Sequence, residues 1–134
     1  MSDKIMSFFE KDRFAAFIGA KLVEVKPGYA KAILEVSEKH LNAADVVQGG
    51  ATFTLADLAF AAASNSHGQV SLSVNTTISY FRPPKGKTLI AEAKEISLTN
   101  KLANYNIDVF DENQEHIARL TGMVYRTKDM IETD

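Results

Sequence analysis

The chain has 134 residues, 46% hydrophobic and 24% charged, which is enough for one domain with a real core. A net charge of −2 gives no general basis for nucleic-acid binding, and the absence of cysteine excludes disulfides, thiolate metal sites and a cysteine nucleophile. No apolar run approaches the roughly 20 residues of a membrane span, and charge interrupts the N-terminus too often for a signal peptide, so a cytoplasmic protein is expected.

In chain order, Ile5, Phe8, Phe9, Phe14, Phe17 and Ile18 fall at helical spacing, predicting one amphipathic helix over 4–18 that Gly19 ends. A strand over 20–26, a Pro27-Gly28 turn and an alternating stretch from Tyr29 to Val36 make a hairpin with one solvated face. Ser37 to Gln48 is a connection without periodicity. Residues 51–66 then read as a helix, with Gly68 as its stop. Its apolar residues lie on every side, predicting burial all round. One charge interrupts them: Asp57, which must be paired, protonated, open to a cavity or chemically useful. At the start of this helix Gly49-Gly50 allows close backbone approach to a ligand, where free N–H groups and the dipole favour negative charge.

Beyond the helix, Val70, Leu72, Val74, Ile78 and Tyr80 alternate with Ser71, Ser73, Asn75, Thr77 and Ser79. That second face is polar without charge, which suits the lining of a pocket or a subunit interface. Arg82-Pro83-Pro84-Lys85-Gly86-Lys87 is a turn carrying three cations. Leu89, Ala91 and Ala93 begin another strand, whose phase shifts at Glu95-Ile96 as at a bulge. Ala103, Tyr105, Ile107 and Val109 mark the next strand, Asp111-Glu112-Asn113 a hairpin loop, and 116–126 the last strand, with a polar, frayed tail from Thr127. One helix preceded by two strands and followed by four, joined by short connections, predicts an α+β hotdog fold: a curled, largely antiparallel sheet wrapped around a long central helix in a single domain, 1–134.

The segment Asn42-x5-Gln48-Gly49-Gly50-x3-Thr54-Leu55-Ala56-Asp57-x-Ala59, followed by Ile78-x-Tyr80-x-x-Pro83 and Gly86, resembles the PaaI-like hotdog thioesterases, which hydrolyse aryl-acyl and short-to-medium-chain acyl-coenzyme A esters. The resemblance implies Asp57 as catalytic carboxylate and the Gly49 N–H as oxyanion donor. It also implies Asn42 near the attacking water, and Ser73 at a polar strand position by the site. The family usually has His where this chain has Gln48, which can donate a hydrogen bond to the substrate carbonyl but cannot shuttle a proton. Family members form dimers, often paired into tetramers, with sites at the subunit interface.

Arg82, Lys85 and Lys87 are candidates for the coenzyme A phosphates, or form a solvated basic turn. His40, His67 and His116 lack metal-ligand spacing, and the serines lack a nucleophile elbow. The expectation is an acyl-coenzyme A thioesterase without cofactor or metal, and with no nucleic-acid or membrane partner. The alternatives are a non-catalytic acyl-coenzyme A binding protein and a hydratase, although no His lies on the central helix to serve a hydratase.

Overall fold

The structure, a computed structural model, describes residues 2–131. The N-terminal segment forms two helices rather than one, α1 (Ser2–Phe9) and α2 (Arg13–Ile18). The break has a local cause: Asp12 is extended and accepts a hydrogen bond from the Ala15 N–H at 3.0 Å, capping a second helix instead of continuing the first. Gly19, at φ 87°, closes α2 in the left-handed conformation that favours glycine. The expected single apolar stripe is lost, since Phe14 and Phe17 are 63% and 77% exposed.

Strands β1 (Lys21–Lys26) and β2 (Tyr29–Glu35) form the expected hairpin. The central helix, α3, runs Gly49–Ser64, two residues ahead of the expected span at both ends. Side chains rather than a glycine finish it. Asn65 Nδ2 donates to the Ala61 carbonyl at 2.8 Å and Ser66 Oγ to the Ala63 carbonyl at 2.6 Å, satisfying carbonyls that the last turn leaves open. Gly68, at φ 96°, then turns the chain into β3.

Strands β3 (Gln69–Tyr80), β4 (Thr88–Leu98), β5 (Leu102–Asp111) and β6 (His116–Met130) complete a six-stranded antiparallel sheet in the order β1-β2-β4-β5-β6-β3. Its concave face packs on α3. Ala30, Ala32, Leu34, Leu89, Ala91 and Ala93 line one half of it, and Ala103, Tyr105, Ile107, Val109, Leu120 and Val124 the other, all buried. The shift expected at Glu95-Ile96 is present as a register break between Glu95 and Ser97.

Two expectations fail at the far edge of the sheet. A bulge between Ser73 and Asn75 swaps the faces of β3 midway. Leu72, opposite Tyr125, joins the outer face with Asn75, Thr77 and Ser79, while Ser73, opposite the buried Val124, joins the inner face with Ile78 and Tyr80. The tail does not fray at Thr127, because β3 gives it a partner. Thr127 Oγ donates to the Val70 carbonyl at 2.7 Å and the Ile131 N–H to the Gly68 carbonyl at 2.8 Å. No helix among the described residues is long and apolar enough to cross a membrane.

The burial of α3 is also incomplete. Leu55, Ala56, Ala59, Phe60, Ala62 and Ala63 are buried against the sheet, but Gly50, Phe53, Thr54, Asp57 and Ala61 form a strip that it leaves partly open. On the covered side the fit is tight, and a Cβ on Gly122 would lie 2.4 Å from Cζ of the buried Phe60 ring. Gly122→Ala is therefore expected to destabilise the fold by about 1–3 kcal/mol through overpacking, read as a lowered urea midpoint with an unchanged slope.

Candidate active site

The connection over 37–48 is irregular but anchored. His40 is buried, its Nδ1 accepting from the Ser37 N–H at 2.9 Å and its Nε2 donating to the Ile18 carbonyl at 2.6 Å. Those two partners select the neutral tautomer protonated at Nε2. The histidine thus ties the loop to the end of α2, and its own carbonyl accepts from the Gln48 N–H at 2.8 Å, bringing Gln48 to the mouth of α3.

At that mouth the peptide joining Gly49 to Gly50 is held at both ends. Gln48 Oε1 accepts from the Gly50 N–H, and Tyr80 Oη donates to the Gly49 carbonyl at 3.0 Å. Burial pushes the Tyr80 phenol above its ordinary pKa, which keeps it a donor. The Ala51 N–H turns back to the Gln48 carbonyl at 2.9 Å. Of the first three helical amides, only the Gly49 N–H has no acceptor among the described residues. It stands at the positive end of the dipole, ready for an anion. A Cβ there would lie 3.2 Å from the Tyr80 ring and crowd the hydroxyl that holds the Gly49 carbonyl. Gln48 is thus the cap of α3 through Oε1, with its Nε2 unengaged among the described residues.

Asp57 lies on the open strip of α3, partly buried. Burial, and secondly the charge of Asp12, push its carboxyl above the ordinary carboxylate pKa. No hydrogen bond or ion pair from the described residues reaches it, so the structural ion pair that would explain a buried carboxylate is absent.

The other predicted residues do not gather around Asp57 within one chain. Asn42 is exposed, with Oδ1 accepting from the Ala44 and Val46 amides at 2.8 and 3.3 Å, which leaves Nδ2 as its open donor. Ser73 sits at the bulge of the edge strand β3. Arg82 is ion-paired with Glu115, while Glu112 accepts from the Lys87 N–H at 2.8 Å. The basic turn is thus backed by two carboxylates of the β5–β6 hairpin, leaving the ammonium groups of Lys85 and Lys87 without partners among the described residues. A hollow of about 400 Å³ joins Gly49 and Tyr80 to Arg82, Pro83 and Pro84, so the helix mouth and the basic turn share one surface.

His67 and His116 are engaged elsewhere, with Glu95 at 2.8 Å and Asp108 at 2.7 Å. Among the described residues no group of three or more His, Asp or Glu side chains could hold a metal ion. Periodicity placed Tyr80 in a strand but did not show its hydroxyl on the Gly49 carbonyl, a contact 31 residues apart in sequence. Asp12 did have a sequence signal, as a capping residue type just before a helical run.

The chain is similar to known proteins along most of its length. Residues 44–118 match the family model of the thioesterase superfamily. A putative esterase from Archaeoglobus fulgidus is 43% identical over 122 residues, covering 90% of this chain and 79% of that protein. The acyl-coenzyme A thioesterase PaaI of Escherichia coli is 31% identical over 121 residues, covering 90% of this chain and 86% of that one. The solved structure of the E. coli PaaI protein from the phenylacetic acid degradation operon superposes with a TM-score of 0.91 at 28% identity, over 97% of this chain and 95% of that one. With a helix of this kind inside a six-stranded antiparallel sheet, the chain belongs to the thioesterase superfamily as a PaaI-like hotdog thioester hydrolase.

Proposed function

We propose that this thioesterase cleaves acyl-coenzyme A thioesters bearing aryl-acyl or short-to-medium-chain acyl groups, releasing the free acid and coenzyme A. The observation that carries this reading is the Asp57 carboxylate, without a partner among the described residues and pushed toward its protonated form on the strip of α3 that the sheet leaves open. A carboxylate raised in this way is a stronger base once ionised. The acyl-coenzyme A thioesterase named among the relatives supports the ester class.

Ionised Asp57 takes a proton from water as the water oxygen adds to the thioester carbon, or adds to that carbon itself to give a mixed anhydride. Either route turns the carbonyl oxygen into an oxyanion, for which the Gly49 N–H is the donor and Gln48 Nε2 a second. The C–S bond then breaks and its electron pair leaves with sulfur, which takes up a proton. The first route gives the free acid directly, and on the second water hydrolyses the mixed anhydride to the acid and free Asp57. A thiol pKa of about 8.5 means that departure needs little help from an acid, so Gln in place of His does not stop the reaction. Asn42 Nδ2 steadies the attacking water, and Ser73 contributes a polar wall.

Eight residues of helix separate Gly49 from Asp57, about 12 Å along the axis at about 1.5 Å per residue. One chain therefore does not complete the site. Asp57 of one subunit works with Gly49 and Asn42 of another, in a homodimer that pairs into a homotetramer. Support comes from the open strip of α3 and from β3, a 12-residue edge strand with one hydrogen-bonded neighbour and with Leu72 and Val74 exposed at 56% and 55%. Sedimentation at assay concentration should give a dimer or tetramer; a fully active monomer would end the shared-site reading.

Asp57→Asn should lower kcat by about 10²–10⁴-fold on acyl-coenzyme A esters in a thiol-release assay while coenzyme A still binds. The raised pKa fixes the sign of the stability change. A carboxyl whose pKa is raised on folding contributes stability below its unfolded value and loses it as pH rises through the folded one. At pH 7 the amide variant should therefore melt no lower than the parent, and it should lose that relative advantage as the pH falls through the folded value, completely so below the unfolded one. A variant that turns over at the parental rate would remove Asp57 from the mechanism.

The coenzyme A phosphates are assigned to Lys85 and Lys87, with Arg82 sharing its charge with Glu115. Replacing all three by Ala should raise KM for coenzyme A esters by several-fold and leave the matching pantetheine esters unaffected. Equal effects on both would mean that the turn is merely solvated.

A further inference from the structure

Beside the open strip of α3 lies a hollow of about 340 Å³ built mostly by the N-terminal segment. Met6 and Phe9 of α1, Ala16 of α2, Leu22 of β1 and Leu58 of α3 supply apolar walls. Glu10, Asp12 and Lys21 stand at its polar rim. Leu58 directly follows Asp57 in the helix, and Asp12 is near enough for its charge to act on the Asp57 carboxyl. The hollow thus adjoins the reactive strip and is separate from the surface that joins Gly49 to the basic turn.

We propose that this hollow takes the acyl group of the thioester, and that α1 and α2 thereby select a compact, apolar acyl group that carries no negative charge. The inference rests on the reading of Asp57 given above. Its volume lies at the low end for ligand pockets, which suits a ring or a short chain rather than a long fatty one. The walls offer that group apolar contact. The rim carries two carboxylates against one ammonium, so a terminal carboxylate on the acyl group meets net repulsion. Asp12 is not free to swing away, since Oδ1 is fixed by the Ala15 N–H. The device is separable from the chemistry because most of its walls belong to the short N-terminal helices outside the sheet.

Ala16 is exposed on α2 yet lines the hollow, so Ala16→Trp fills the space without entering the core. The variant should lose at least about tenfold in kcat/KM on phenylacetyl-coenzyme A while staying within about twofold on acetyl-coenzyme A, at an unchanged melting temperature. Equal losses on both esters, or no loss on either, overturn the proposal. If the parent protein hydrolyses neither ester, the catalytic reading fails by itself. The hollow is then judged by calorimetric affinity for thioether analogues of the same two esters, under the same selectivity criterion. For the rim, Glu10→Gln with Asp12→Asn keeps a capping residue at position 12 and removes both charges. That pair should narrow the preference for pentanoyl- over glutaryl-coenzyme A by at least about threefold; an unchanged preference overturns the charge selection.

Discussion

How closely the sheet can approach α3 governs the rest of this molecule. The inner face of the strands is rich in alanine, at Ala30, Ala32, Ala91, Ala93, Ala103 and Ala118, and the covered side of the helix answers with Ala56, Ala59, Ala62 and Ala63. Small residues on both sides bring backbones near each other, so the larger groups have only particular places to go. Phe60 lies over Gly122, and the Tyr105 ring packs beside it at 5.8 Å between centroids. Interiors packed to this density transmit displacement instead of absorbing it. The orientation of α3, and with it every site residue it carries, is fixed by that contact surface.

A sheet wrapped around one side of a helix leaves the other side open, and the proposed catalytic carboxylate lies on that remainder. The helix mouth is ordered from three directions: by His40 through Gln48, by the Gln48 cap, and by Tyr80 reaching across from β3. Of the first three helical amides, that of Gly49 is left over among the described residues. Two turns along, the open strip holds a carboxylate whose burial is not offset by any partner among the described residues. A donor without an acceptor and an acid without a base are both costly in a finished core. Both are partly buried, and their place in one helix, spaced too far apart to satisfy each other, is what the proposal of a ligand and a second subunit draws on.

The far end of the same helix shows the contrasting case, where Ser66, His67, Glu95 and Tyr105 all find partners within the chain. Ser66 Oγ accepts from the Gly28 N–H at 2.8 Å while donating to Ala63, and Glu95 receives both Tyr105 Oη at 2.9 Å and His67 at 2.8 Å. Ser71 Oγ is the one buried polar side-chain atom among the described residues without a partner, and the remaining groups at that end hold the hairpins in place.

Element order, the alternation of β2, β4, β5 and β6, and the conspicuous charge at Asp57 were all legible in the chain, because they follow from side-chain period and from the cost of burying a carboxylate. The resemblance carried by Asn42, Gly49, Gly50 and Asp57 added the family. Three things were decided only by tertiary structure. The break between α1 and α2 depends on a cap competing with helix continuation, and local pattern does not rank those two outcomes. The face swap in β3 depends on a bulge that a clean alternation hides. Extension of β6 through Met130 depends on a neighbour supplying hydrogen bonds to a segment whose own composition is that of a tail. The open strip on α3 belongs with these: composition made the helix apolar on every side, but a single sheet has only one concave face with which to cover it.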